Sequence, residues 1–198
     1  MTLAKRLTAA LAMGAGSHMV LLTGDQQDRD LAPTDTVLPA AVLIAVTDRA
    51  DPGVILTQRT ETMSRHPGQI AFPGGRIDPG EDVVTAALRE AEEEIALPRE
   101  RVTVIGEADG YRTITGFQVT PVIGVIPPDL VFSRSEAEVA SVFEVPLAFL
   151  LDTANHVEAT VEWQGHDRHY YEIMWDDRRI WGATAAMIVN LARRLRWS

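Results

Sequence analysis

Residues 75 to 97, GRIDPGEDVVTAALREAEEEIAL, set a dense run of carboxylates directly behind a glycine turn. At about 100° per residue on a helix, Val84, Leu88, Ala91 and Ile95 fall on one apolar face. Glu90, Glu93 and Glu94 are spaced i, i+3 and i+4 on the far side, away from the expected core. Like charges at that spacing are neighbours and destabilise an isolated helix. Two readings of such a run compete. One is a solvated acidic face; the other is a site for a hard divalent cation such as Mg²⁺, which takes oxygen ligands and bridges carboxylates to phosphates. The adjoining glycines, the interposed Arg89 and the strict spacing favour the second.

The chain is long enough, at 198 residues and 46% apolar, for one domain with a substantial core. Its formal net charge of −10 leaves no electrostatic footprint for nonspecific nucleic-acid binding. An acidic surface still admits a small anionic substrate if metals and local arginines reverse the field inside a cleft. The absence of cysteine excludes a disulfide scaffold and a thiolate metal site. No uncharged run reaches the length of a membrane span, so a cytoplasmic protein, monomeric or homodimeric, is expected.

Residues 1–29 read as an N-terminal extension holding a short amphipathic helix, where Lys5 and Arg6 precede LTAALAMGAG. Gly16-Ser17-His18-Met19 also spells a common tag scar, although the residues before it lack tag character. A polar connector covers 24 to 36, and residues 30–198 form the main domain. Val37 to Thr47 reads as a buried strand, Asp51-Pro52-Gly53 as a turn, and Val54 to Gln58 as its hairpin partner. Residues 69–72, Val102 to Ala108, Gln118 to Ile126 and Ser141 to Val145 are further strands, with Gly110 to Gly116 as a link. Helices are expected over Glu81 to Ala96, as a turn over Leu147 to Asp152, and over Gly182 to Arg196. Val157 to Trp163 and Arg168 to Met174 read as a hairpin about Gly165-His166-Asp167, with His166 and His169 exposed beside its turn. Helices before, between and after the strands give a three-layer α/β arrangement.

The stretch from Gly75 to Leu97 resembles the Nudix box: Gly, five residues, Glu, seven residues, then Arg-Glu-aliphatic-any-Glu-Glu-any-Gly-aliphatic. Gly75, Glu81, Arg89, Glu90, Glu93, Glu94 and Leu97 match, and Ala91 fills the aliphatic position. Ala96 departs, standing where the family has a glycine that closes the helix in a left-handed conformation. The resemblance implies a three-layer α/β/α sandwich with a mixed sheet. It also implies Mg²⁺ or Mn²⁺ held by Glu90, Glu93 and Glu94, with the Gly74 carbonyl assisting and Glu81 in support. Arg89 would orient a neighbouring glutamate, and the general base would be Glu93 or the loop residue Glu138.

Upstream, ILTQRTETMSRHPGQIAFPGG at 55–75 is similar to the extra signature of the coenzyme A diphosphatase branch of that family. Leu56, Thr57, Arg59, Gly68, Phe72, Pro73, Gly74 and Gly75 match it. Thr60 replaces Ser or Ala, and Ser64 stands where a second arginine is expected, with Arg65 one place later. This implies hydrolysis of coenzyme A or its thioesters, with Arg59, Arg65, His66 and Gly75 on the substrate. Action on ADP-ribose, dinucleotides or nucleoside triphosphates uses the same box chemistry and differs in recognition, and a non-catalytic nucleotide-binding module is the remaining reading. Glu136 and Glu138 precede the SVFEV strand, while Ile180-Trp181-Gly182 opens the last helix, where the tryptophan reads as core or rim packing.

Overall fold

A computed structural model describes residues 1–15, 22, 37–62, 67–163 and 166–195; for Ala15, Trp163 and 166–168 it describes the backbone alone. The fold is a three-layer α/β/α sandwich about a mixed sheet. Its central strands are β1 (Leu38–Thr47) and β7 (Phe117–Ile126), paired in parallel over their full length. β1 is rich in Ala, Val and Leu and β7 in Val and Ile, and both are covered on two faces, which explains their near-continuous apolar sequence. Ala40, Ile44 and Val46 of β1 enter one core cluster, whereas Ala41, Leu43 and Ala45 enter the other. This period-two alternation places one strand between two cores.

β2 (Gly53–Arg59) follows β1 through the Asp51-Pro52-Gly53 turn, but the expected hairpin is a short one. Its only registered pair with β1 is Val46 with Val54, and its main partner is β8 (Val139–Pro146). The two strands splay. Into the opening come β3 (Ile70–Ala71), which pairs with β2, and β4 (Gly74–Arg76), which pairs with Ala40–Val42 of β1. Gly74 is required there by packing, since a Cβ would lie 2.4 Å from the Ala41 carbonyl oxygen. β5 (Thr103–Glu107) closes the far edge on β7. The expected 110–116 link contains a two-residue strand, β6 (Tyr111–Arg112), also on β7.

The helices are short and amphipathic. α1 (Leu3–Ala15) and α4 (Ala183–Leu195) share one face of the sheet with α3 (Leu147–Leu151), burying Leu3, Leu7, Ile188, Leu191 and Leu195 together. A second sheet, β9 (Val157–Trp163), β10 (His166–Trp175) and β11 (Arg178–Trp181), joins the same cluster through Ile173 and Ile180. The expected hairpin is present; His166 and Asp167, expected in its turn, belong to β10, and residues 164–165 lie outside the described residues. His169, exposed as expected, lies within that strand. β11 was absent from the sequence reading, because Arg178-Arg179 carries no apolar alternation to announce a strand.

α2 (Val83–Ile95) covers the other face alone. Asp82 caps it, accepting hydrogen bonds from the Thr85 amide (2.9 Å) and the Thr85 hydroxyl (2.8 Å). Its contact surface is made of Ala86, Ala87 and Ala91, whose small side chains let the helix lie close on Ala41, Leu43 and Ala45. At the other end Ala96 adopts φ 54°, ψ 36°, with its amide bonded to Glu92 O and the Leu97 amide bonded to Ala91 O. This is the left-handed closure that a glycine makes freely; an alanine is strained there. Ala96→Gly should therefore stabilise the protein by roughly 0.5–1 kcal/mol, the left-handed alanine penalty less the added freedom of glycine in the unfolded chain. Urea unfolding should show a higher midpoint at unchanged m.

Candidate active site

Three acidic side chains of the α2 region, Glu81, Glu90 and Glu93, gather about one cation, Arg89. Its Nε and one terminal nitrogen bind both oxygens of Glu81, at 3.0 and 3.1 Å. The other terminal nitrogen reaches Glu90 at 2.8 Å and Glu93 at 3.1 Å, and the guanidinium also donates to the Arg76 carbonyl at 2.9 Å. The planar fork of arginine is what permits so many simultaneous directed bonds. Glu81 is held from a second side by the Asp78 amide, across the turn made at Gly80 with φ 88°. The Arg89 hydrogen bond keeps the Glu81 carboxyl below its ordinary range. The guanidinium is in turn raised further above its ordinary range, chiefly by its bond to Glu81.

Glu94 corrects the sequence reading. It does not face away from the core; it is buried, with 5% exposure, at the edge of the α2 layer. One of its carboxylate oxygens, Oε2, has no hydrogen-bond partner among the described residues. Burial pushes its pKa up to about 8, with the Glu90 and Glu138 charges adding to the rise. Arg59 and the Gly74 amide pull it partly back. Glu90 is raised as well, first by burial, with Arg89 opposing and Glu93 and Glu138 reinforcing. Its carboxylate packs on the bare Gly75 backbone, where a Cβ would lie 2.5 Å from Glu90 Oε1. Gly75 thus makes room for Glu90.

Glu93 is 58% exposed, and Glu138 is exposed on the loop before β8. That loop is tied to the end of α2, where the Ser133 and Ser135 amides donate to the Ile95 and Glu94 carbonyls at 3.2 and 2.8 Å. The same bonds satisfy carbonyls that the helix end would leave unpaired. Arg59 ends β2, half-buried, with its Nε enclosed and without a partner among the described residues. Arg65 and His66 lie outside the described residues. Glu136 is exposed, and Trp181 stands on the rim at 39% exposure.

Among the described residues no three acidic or histidine side chains converge at metal-ligand positions as they stand. The donor chemistry nevertheless suits a hard cation: half-buried Glu90 raises the pKa of buried Glu94, and Glu94 has an oxygen without a partner among the described residues. Arg89 holds Glu90 from one side and leaves Glu94 to be satisfied by something else.

Residues 37–173 match the NUDIX domain. The chain is 45% identical over 157 residues, 79% of its length, to an uncharacterised Nudix hydrolase, NudL, of Enterobacter sp. strain 638, and these cover 82% of that protein. With the NudL of Citrobacter koseri the identity is 47% over 158 residues, with the same coverage. Among solved structures, RenU, a Nudix hydrolase from M. smegmatis, aligns with 58% of this chain and 74% of its own at a TM-score of 0.50 and 27% identity. A MutT/nudix family protein from Enterococcus faecalis shares the fold, at a TM-score of 0.50 and 13% identity over 83% of this chain and 63% of its own. The chain belongs to the Nudix hydrolase family. Members of this family are enzymes that generally use divalent cations on nucleoside diphosphate-linked substrates. No helix among the described residues is long and apolar enough to cross a membrane.

The buried Glu94 sets a pH dependence. In the unfolded chain its carboxyl ionises near 4.5, whereas the metal-free fold keeps the proton to about 8. Between those values the folded state binds the extra proton, so stability falls as pH rises. The contribution is complete below 4.5 and lost above about 8. Thermal melts in chelator should show Tm decreasing over this window, with a flatter profile in Glu94→Gln. Because a cation needs the ionised carboxylate, Mg²⁺ should raise Tm more at pH 8 than at pH 5.5.

Proposed function

We propose that the enzyme hydrolyses the diphosphate bond of coenzyme A or its thioesters, giving 3′,5′-ADP and 4′-phosphopantetheine or its acyl form. One juxtaposition carries this reading. Arg59, from the 55–75 segment that resembles the coenzyme A diphosphatase signature, stands within electrostatic reach of Glu94 from the acidic helix, its Nε buried without a partner. A guanidinium beside an acidic site, with a donor that no described residue uses, suits a phosphate oxygen.

Glu90 and Glu94 would hold a divalent cation, with Glu81 and Glu93 kept in reach by Arg89 and the Gly74 backbone alongside. When bound, such a cation polarises the diphosphate and lowers the pKa of coordinated water. Arg89 fixes the Glu90 carboxylate so that little reorganisation is needed when substrate arrives. Arg59 would neutralise charge on the diphosphate. Water attacks one phosphorus, the bond from that phosphorus to the bridging oxygen breaks, and the second phosphate leaves with that oxygen. The proton of the water passes to a carboxylate, either Glu93, which is exposed but bonded to Arg89, or Glu138, which faces Glu90 and Glu94 from the loop before β8.

Chromatography of products formed from coenzyme A, acetyl coenzyme A, ADP-ribose and NADH with Mn²⁺ should show the coenzyme A forms cleaved most efficiently. A clear preference for ADP-ribose would overturn the substrate assignment. Glu94→Gln should lower kcat by several orders of magnitude without unfolding the protein, since the amide matches the carboxyl in volume. Of Glu93→Gln and Glu138→Gln, the variant that loses more than about a hundredfold in kcat identifies the base.

A further inference from the structure

A second pocket, of about 330 Å³, opens where β2 and β3 meet β11, lined by Gln58, Gly68, Ile70, Asp177, Arg178, Arg179 and Trp181. Its volume is at the lower end of the range of about 300–1,000 Å³ found for ligand sites, so it suits one end of an extended substrate. Gln58 is the chain neighbour of Arg59 at the end of β2, and β3 leads within three residues to Gly74. The pocket and the carboxylate site therefore meet at one strand terminus.

Arg178 is the unusual member. Its guanidinium lies 3.9 Å from the centroid of the Phe143 ring and donates to Gln58 Oε1 at 3.4 Å and Ser141 Oγ at 3.3 Å. These partners are neutral, and the bonds are long. Among the described residues no carboxylate is paired with it: Asp177, on the exposed turn, makes no such bond, and Glu172 is taken by Arg179. A half-buried arginine that is held in place by a ring, an amide and a hydroxyl, with no counter-charge, is preorganised for an anion. Trp181, three residues on and therefore on the other face of β11, also lines the pocket, with the Tyr170 ring and the Arg179 guanidinium against its indole.

We propose that this pocket binds the nucleotide end of the substrate, with Arg178 on a phosphate that is not cleaved and Trp181 against the base. Resting on the coenzyme A reading, the phosphate is the one at the ribose 3′ position. Arg178 thereby becomes a specificity residue, separate from the groups that act on the diphosphate. The small β9–β11 sheet would thereby take part in recognition, through Arg178 and Trp181.

The test compares kcat/KM for coenzyme A and 3′-dephospho-coenzyme A in the wild type, Arg178→Gln and Trp181→Ala. The wild type should prefer coenzyme A by at least about tenfold, the range expected of a charge-assisted hydrogen bond. Arg178→Gln should lose that preference through KM, its loss on coenzyme A exceeding its loss on the dephospho form by about tenfold. Trp181→Ala should raise KM on both substrates alike. Inhibition by 3′,5′-ADP, but not by AMP, should weaken in Arg178→Gln. Equal use of both substrates by the wild type, or an equal loss on both in Arg178→Gln, overturns the assignment of Arg178 while leaving coenzyme A hydrolysis standing. A wild type that cleaves neither form but cleaves ADP-ribose overturns the coenzyme A reading, and this inference with it.

Discussion

Arg89 is the interaction on which the site depends. Without its fork, Glu81, Glu90 and Glu93 would repel one another across a single helical turn and the glycine loop before it. With it, the loop from Arg76 to Glu81 is bound to the helix through one guanidinium, which also fixes the Arg76 carbonyl. The geometry of the turn, the start of α2 and the direction of Glu90 are thus one connected unit. Neutral hydrogen bonds would not do the same, since charge-assisted bonds are stronger and shorter.

One carboxyl is left without a full set of partners. Arg89 satisfies the outer carboxylates, while Glu94 is buried at the inner end with an orphaned oxygen and a raised pKa. Burying an unpaired carboxylate is unfavourable, and such groups concentrate where function requires them. The surrounding packing tolerates it because the helix is anchored elsewhere, by the Ala86, Ala87 and Ala91 surface and by the Asp82 cap. Ala96 adds local backbone strain at the end of the same helix, next to the loop that carries Glu138.

Splaying of β1 from β2 links this unit to the substrate. The gap admits β3 and β4, so that Gly74 and Gly75 lie against β1 and under Glu90, and Arg59 comes to Glu94. The two motifs, separated along the chain, become one site because a short hairpin opens rather than continuing. Beyond the strand end, the small β9–β11 sheet brings Arg178 and Trp181 to the same region from more than a hundred residues away.

Much of this was legible in the chain itself. The spacing of Glu81, Arg89, Glu90, Glu93 and Glu94 specified an acidic helix behind a glycine turn, and the apolar runs at 37–47 and 118–126 specified buried strands, because side-chain periodicity is a local property. That Ala96 keeps the left-handed closure was decided by the fold, since an alanine standing where glycine is usual leaves that geometry open. Tertiary structure alone decided which carboxylate was buried. Helical periodicity separates two faces, yet Glu94 lies at their border, and its exposure depends on Gly74, Arg59 and the 133–138 loop packing around it. The partial pairing of β1 with β2, the two-residue β6, and β11 with its Arg178 were equally beyond local reading. They arise from contacts between distant segments, and a strand this short or this charged has no pattern of its own to declare it.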